Sequence, residues 1–412
     1  MDQLLYRDAN AIIKSSIDAV KPDEAVTRAL SNAKFPGRVL LVAAGKAAWQ
    51  MAKTAYACLG DTIQGGVVVT KYDHVMGPIA NFTCCEAGHP VPDENSFSGT
   101  QKALDLVQDL SADDTVLFLL SGGGSALFEK PLISGEELQD ITKQLLACGA
   151  DIVEINTIRK RLSAVKGGKF AQHCAPAHVY TIVLSDILGD PLDMIASGPA
   201  CPDSATSQQA VEIAKKYNLN LSEKARNLLS IETPKVLNNV TTQITGSVRE
   251  LCTAAAKACK DLGYEPILLT DMLSCQAKEA GSFLSSILKT HAKSGKKLAF
   301  LAGGETVVHL TGKGKGGRNQ ELALSAAVGI DNLSYTAVFS VGSDGTDGPT
   351  DAAGGYVDYQ TASALRDLGI DIFTVLQNND AYNALAKCNG LIVTGPTGTN
   401  VNDISVALLD VR

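Results

Sequence analysis

Apolar positions fall into two kinds of run along the chain. Leu4-Leu5, Ile12-Ile13, Ile17 and Val20 recur at helical spacing and are closed by Lys21-Pro22, which predicts an opening helix. Short unbroken runs follow at Val39 to Ala43, Gly66 to Thr70, Phe82 to Cys85, Thr115 to Leu120 and Val179 to Ser185. Rich in Val, Leu and Ile, most show no polar alternation, as expected of parallel strands covered on both faces. Helical stretches such as Ala47 to Leu59 and Gly135 to Cys148 separate several of them. Strands alternating with helices predict βαβ units and an α/β, doubly wound, mostly parallel sheet.

The pattern lapses between Ser230 and Gly246, where ETPKVLNNVTTQITGS is polar and turn-rich. A second series then begins. Helices are expected at Ser247 to Leu262, Cys275 to Lys293, Gln320 to Val328 and Thr361 to Leu368. Strands are expected at Pro266 to Thr270, Leu298 to Ala302, Thr306 to Thr311, Thr336 to Val341 and Leu391 to Thr394. A boundary near residue 240 therefore divides the chain into two α/β domains, 1–240 and 241–412. Neither repeats the other in sequence.

Composition narrows the partners. The 412 residues carry 36 Lys+Arg against 44 Asp+Glu, a net charge of −8. That excludes a broad nucleic-acid or anionic-membrane surface, though not a local basic pocket. The opening MDQLLYRDANAIIKSS lacks the basic-then-apolar order of a secretory leader, and no apolar run nears the ~18 residues of a membrane span. Ten cysteines without C-x-x-C pairing read as small buried hydrophobes in a reducing compartment, so zinc is not expected. The expectation is a cytoplasmic protein.

The 37 glycines gather where strands end. Val39 to Ala43 runs into Ala44-Gly45-Lys46, and Thr115 to Leu120 into Ser121-Gly122-Gly123-Gly124-Ser125. Val179 to Leu184 leads to Ser185-Asp186 and on to Gly189-Asp190; Leu298 to Ala302 leads to Gly303-Gly304-Glu305. Thr336 to Val341 leads to Gly342-Ser343-Asp344-Gly345. In open α/β sheets the ligand crevice lies outside the carboxyl ends of the strands. Gly-rich turns there present backbone N–H groups to anions, so SGGGS reads as a phosphate cradle, with a plain tight turn as the alternative.

Lys46 is placed to reach a phosphate or carboxylate, unless it is a solvated lysine at a helix start. Gly312-Lys313-Gly314-Lys315-Gly316-Gly317-Arg318 contains G-x-G-x-x-G, but its three cations favour a triphosphate over a dinucleotide. The acid expected about 20 residues on is poorly matched, because Asp331 falls in a turn. The basic stretch Asn156 to Arg161 with Lys166 to Lys169 reads either as a solvated helix face or as part of a basic pocket. Asp186, Asp190 and Asp193 crowd one strand end, and Asp344, Asp347 and Asp351 another. Such carboxylates suit Mg²⁺ shared with phosphate, or else are turn and cap acids. His89 reads as a turn histidine, with a base as the alternative.

Together these segments resemble the glycerate 2-kinase family with its C-terminal MOFRL module. Ala44-Gly45-Lys46, Leu120 to Ser125, Asn156 to Gly168, Leu184 to Pro191, Gly316 to Glu321, Ser343 to Gly355 and Thr394 to Asp403 match its segments, in order, over nearly the whole chain. One departure is Asp73, where the family pattern has a glycine. The resemblance implies an N-terminal Rossmann-like domain, a MOFRL-type domain and an active site in the cleft between them. It also implies ATP- and Mg²⁺-dependent phosphorylation of D-glycerate at O2. Some members carry a hydroxypyruvate reductase name, so a NAD(P)H-dependent reductase is the alternative.

On this resemblance Lys46, Asp186 and Arg318 are the catalytic candidates, and Lys46, Arg159 and Arg318 hold substrate. Ser121, Gly122, Gly123, Gly124, Ser125, Lys313, Lys315 and Asn319 hold phosphate or nucleotide, and Asp186, Asp190, Glu305 and Asp344 hold metal. Glycerate and ATP are the expected partners, with a homodimer left open.

Overall fold

The computed structural model describes residues 1–411. It divides into a central unit, Ala25–Thr245, and a terminal unit made of Met1–Glu24 with the segment from Gly246 onward. The first 24 residues, read in sequence with the N-terminal half, thus pack with the C-terminal unit. The cause is the amphipathic helix Gln3–Ala19, whose buried side includes Leu5, Ile12, Ile13 and Ile17. Tyr264 donates to Asp8 on that helix at 3.1 Å, and Thr399 donates to the Val20 carbonyl at 2.8 Å.

The central sheet has six strands: β1 Val39–Ala44, β2 Ile63–Lys71, β3 Phe82–Ala87, β4 Thr115–Leu120, β5 His178–Leu184 and β6 Val240–Gly246. Their order is β3-β2-β1-β4-β5-β6. The pairings that join β1 to β5 are all parallel, as expected. β1 and β4 are buried throughout because both faces are covered. Leu41, Ala43, Leu117 and Leu119 face a cluster with Trp49 and Met51. Val42, Ala44, Val116, Phe118 and Leu120 face another with Phe128 and Phe170. Period-two alternation thus exists, but between two apolar faces. The order reverses between β1 and β4, the switch point at which such sheets bind ligands.

The terminal sheet uses β7 Glu265–Leu273, β8 Leu298–Gly304, β9 Thr336–Gly342, β10 Gly354–Asp358, β11 Leu391–Ile392 and β12 Asp403–Leu409. Its order is β11-β10-β9-β12-β8-β7. The α/β class holds, but here the expected parallel sheet is corrected, because only β7 with β8 is parallel and the other pairings are antiparallel. The last strand returns between β8 and β9. It takes the place that the expected strand at Thr306 to Thr311 would need, since β8 then has a neighbour on each side. That segment keeps one bridge, Val307 with Gln276.

Candidate functional site

The central unit assembles its candidates at the switch point. The chain leaves β1 through Gly45 into Lys46, whose N–H donates to the Gly122 carbonyl at 2.9 Å. Ser121, leaving β4, accepts the Ala47 N–H on its Oγ at 3.0 Å. These bonds lock the two strand ends together. Gly123 sits at φ +86°, a conformation L side chains rarely adopt. Among the described residues the N–H groups of Gly122 and Gly123 have no acceptor, and the Lys46 ammonium has no ion pair. Asp186 lies over the same turn: a methyl built on Gly122 would stand 2.3 Å from its Oδ2. The structure therefore brings Lys46, Ser121 to Ser125 and Asp186 together.

The basic stretch is neither solvated nor open. Lys160, Arg161 and Lys166 are buried in the central unit. Lys160 binds Asp203 at 2.9 Å, and Arg161 lies 3.6 Å from the same acid. Arg159 Nη2 donates to the Ser125 carbonyl at 3.0 Å, and Lys166 Nζ donates to it at 2.8 Å. Behind them sits Glu129, fully buried, 3.5 Å from Lys166 and 3.7 Å from Arg159. Burial pulls the Lys166 ammonium down to about 8 despite that carboxylate. Arg159 thus anchors the SGGGS turn from behind.

Asp190 follows on the Asp186 loop, with φ +51° and a buried Oδ1 that has no hydrogen-bond partner. Further on, Ala196 and Ser197 both adopt left-handed backbone, at φ +51° and +61°, although neither is glycine. Such residues cost about 1–3 kcal/mol each and cluster at functional sites. Ser197 Oγ lies 3.1 Å from Ser125 Oγ and donates to Asn156 Oδ1 at 2.9 Å, so this strained pair buttresses the same turn.

The terminal unit gathers Arg318, Asn319, Glu305, Asp347 and Asp403. Arg318 holds Asp403 with two hydrogen bonds, 2.5 and 2.9 Å, and reaches Glu305 at 3.2 Å. Burial pushes the Asp403 carboxyl up, and the guanidinium pulls it back. We take the pair as ionised, because a guanidinium does not give up its proton. Asp347 accepts the N–H of Asn319 at 3.2 Å and of Gln320 at 2.9 Å, closing the start of the helix Arg318–Ile330. Its own burial raises it to about 6. Asp344 accepts the Thr346 N–H at 2.9 Å, an Asx turn.

The GKGKGG loop is differently employed. The N–H groups of Thr311 and Gly312 donate to Asn379 Oδ1, that of Lys313 to Asn378 Oδ1, and that of Lys315 to Asp380 Oδ1. Gly314 N–H goes to the Asn378 carbonyl. The loop follows no strand, so the context required of a dinucleotide fingerprint is missing. Lys313 and Lys315 are exposed, and Lys315 lies 4.0 Å over the Tyr382 ring.

Among the described residues no group of three or more His, Cys, Asp or Glu could hold a metal alone. Mg²⁺ bound with phosphate needs only one or two carboxylates. The orphaned Asp190 Oδ1 and the Asp186 carboxylate above Gly122 fit that demand. Sequence reasoning passed over Glu129, Asp403 and the Ala196-Ser197 pair as separate candidates. Only Asp403, in the TGPTGTNVND segment, carried a local signal.

Fold and site define a two-unit α/β protein with a polar, anion-suited centre at strand ends. Two family models match the chain: a domain of unknown function, DUF4147, over residues 8–230, and the MOFRL family over 298–403. A D-glycerate 2-kinase from Thermotoga maritima is 53% identical over 411 residues, 98% of each chain. A glycerate 2-kinase from Pyrococcus horikoshii is 41% identical over 393 residues, covering 91% of this chain and 88% of that one. The crystal structure of a glycerate kinase from Thermotoga maritima superposes with a TM-score of 0.95 at 52% identity, covering 99% of this chain and 100% of that one. The chain belongs to the MOFRL-containing glycerate 2-kinase family.

Proposed function

We propose that the chain transfers the γ-phosphoryl group of ATP to O2 of D-glycerate, giving ADP and 2-phospho-D-glycerate. The observation that carries this reading is similarity to a D-glycerate 2-kinase along 98% of both chains. The central site suits the chemistry. Phosphoryl transfer needs positioning and charge neutralisation more than covalent help. The open amides of Gly122 and Gly123, flanked by Ser121, Gly124 and Ser125, would cradle phosphate, and the unpaired Lys46 ammonium would neutralise the transferring group or hold the glycerate carboxylate. Arg318, held by Asp403 through Nε and Nη2 and by Glu305 at Nη1, would meet a carboxylate or phosphate with the N–H groups those acids leave over, with Asn319 beside it.

Mg²⁺ would supply further neutralisation of phosphate oxygens, with Asp186 and Asp190 as its holders and Glu305 and Asp344 as secondary candidates. Lys313 and Lys315 would draw anions in through charge rather than through a backbone cradle. The alternative, a nicotinamide-dependent hydroxypyruvate reductase, gains nothing from the glycine loop, which follows no strand and whose amides from Thr311 to Lys315 are committed to Asn378, Asn379 and Asp380. Ten free cysteines favour a reducing, cytoplasmic setting. The test is ADP release with D-glycerate and Mg·ATP, plus identification of the isomer formed. Glycerate-dependent 2-phosphoglycerate is expected; no ATP-dependent product would overturn the proposal.

A further inference from the structure

Beside the SGGGS turn stands His89, a turn histidine in sequence with a base as the alternative. His89 lies just past β3. A methyl built on Gly123 would sit 3.0 Å from its Cδ2, 3.1 Å from its Nε2 and 3.2 Å from Lys46 Cγ. The imidazole edge and the lysine stem thus converge on one glycine of the turn. Neither ring nitrogen has a hydrogen-bond partner among the described residues; what acts on the ring is partial burial and nearby charge. A half-buried imidazole with neither nitrogen engaged by the protein keeps both for a ligand at the candidate site.

We infer that His89 Nε2 takes the proton of the glycerate 2-hydroxyl as phosphoryl transfer proceeds. The inference rests on the kinase reading and adds its base. A carboxylate held by the Lys46 ammonium would carry the 2-hydroxyl on the adjacent carbon, beside the turn that the imidazole edge and the lysine stem both flank. The step balances. The O2–H bond breaks and its proton goes to Nε2; O2 bonds to the γ-phosphorus; the bond from that phosphorus to the bridging oxygen breaks, and ADP leaves with the electron pair.

The ionisable groups acting on the ring are Lys46, Lys71 and His74. Asp93, behind Gly88, is engaged by Tyr72 and Ser96. Burial first, then the Lys46 and Lys71 ammonium groups, hold the imidazole below its ordinary 6.5, so it is neutral and able to accept at pH 7. The imidazolium formed beside Lys46 is offset by the dianionic phosphoryl group arriving on the same turn. Asp186 is then left to the metal.

The test uses the full chain, assayed for phosphoglycerate across pH. His89→Gln should lower kcat about 10²-fold while the glycerate KM moves less than about threefold. The parent's kcat/KM should fall on an acid limb below pH 6.5, and this limb should vanish in H89Q. Added imidazole should restore part of the turnover of His89→Ala. A parent without that limb, or an H89Q with the limb intact or kcat within about threefold of the parent, overturns the role of His89. A parent making no phosphoglycerate overturns the kinase reading itself.

Discussion

Two glycine-rich loops, Ser121 to Ser125 and Gly312 to Gly317, look alike as strings and behave oppositely as structures. In the first, glycine leaves the Gly122 and Gly123 amides open beside an unpaired Lys46. In the second, glycine lets backbone lie against backbone: a methyl on Gly312 would meet Asn378 main-chain atoms at 2.3 Å. The amides from Thr311 to Lys315 are consumed by Asn378, Asn379 and Asp380. What separates a cradle from a clasp is therefore where the N–H groups point, which glycine content does not reveal.

The sharpest way to break this contrast is to remove what stands behind the first loop. Glu129→Ala leaves Lys166 buried without its carboxylate and should cost about 3–5 kcal/mol in urea unfolding. A loss under 1 kcal/mol would show that the anchor is dispensable. Lys46→Met should lower kcat about 10²-fold or more at unchanged stability, whereas the double change Lys313→Met, Lys315→Met should leave it within about threefold. Equal losses in the coupled ADP assay would erase the distinction between the loops.

Beside the second loop, Asp347 titrates at about 6 when folded against an ordinary 3.8. A raised folded value favours folding fully below pH 3.8, and that contribution is lost as pH rises through about 6. The ceiling is about 3 kcal/mol at 1.36 kcal/mol per unit. Asp347→Asn should flatten the decline in unfolding free energy between pH 4 and 7; parallel curves for parent and variant would refute this. Smallest is Asn379→Ala, which deprives two amides of their acceptor. It should cost about 1–2 kcal/mol with kcat little changed. A collapse of kcat at full stability would return this loop to the chemistry.

Legibility in the sequence followed the range of the interactions. β1 and β4 were readable because doubly covered strands are continuous apolar runs. Lys46 and SGGGS were readable because strand ends carry sites in such sheets. The dock of helix Gln3–Ala19 onto the terminal unit has no local signal. Nor has the insertion of β12 between β8 and β9, which turned a sheet expected to be parallel into a mixed one. Lys160 looked like a solvated lysine because its partner, Asp203, lies 43 residues on. The commitment of the Thr311 and Gly312 amides has no local signal, because their acceptor Asn379 lies 68 and 67 residues beyond them. Asp73 shows the converse. Where the family pattern has glycine it adopts φ +62°, which Asp tolerates better than most residues.

The Ser125 carbonyl receives both Arg159 and Lys166, so the peptide that follows the cradle is fixed by two cations against rotation. The conformational entropy of the turn is thus given up once, at folding, and an arriving anion has little left to immobilise. Occupancy should then change hydrogen-exchange protection at Gly122 and Gly123 through the new acceptors alone, while the flanking amides of Ser121 and Gly124 exchange at the same rate whether the turn is empty or filled.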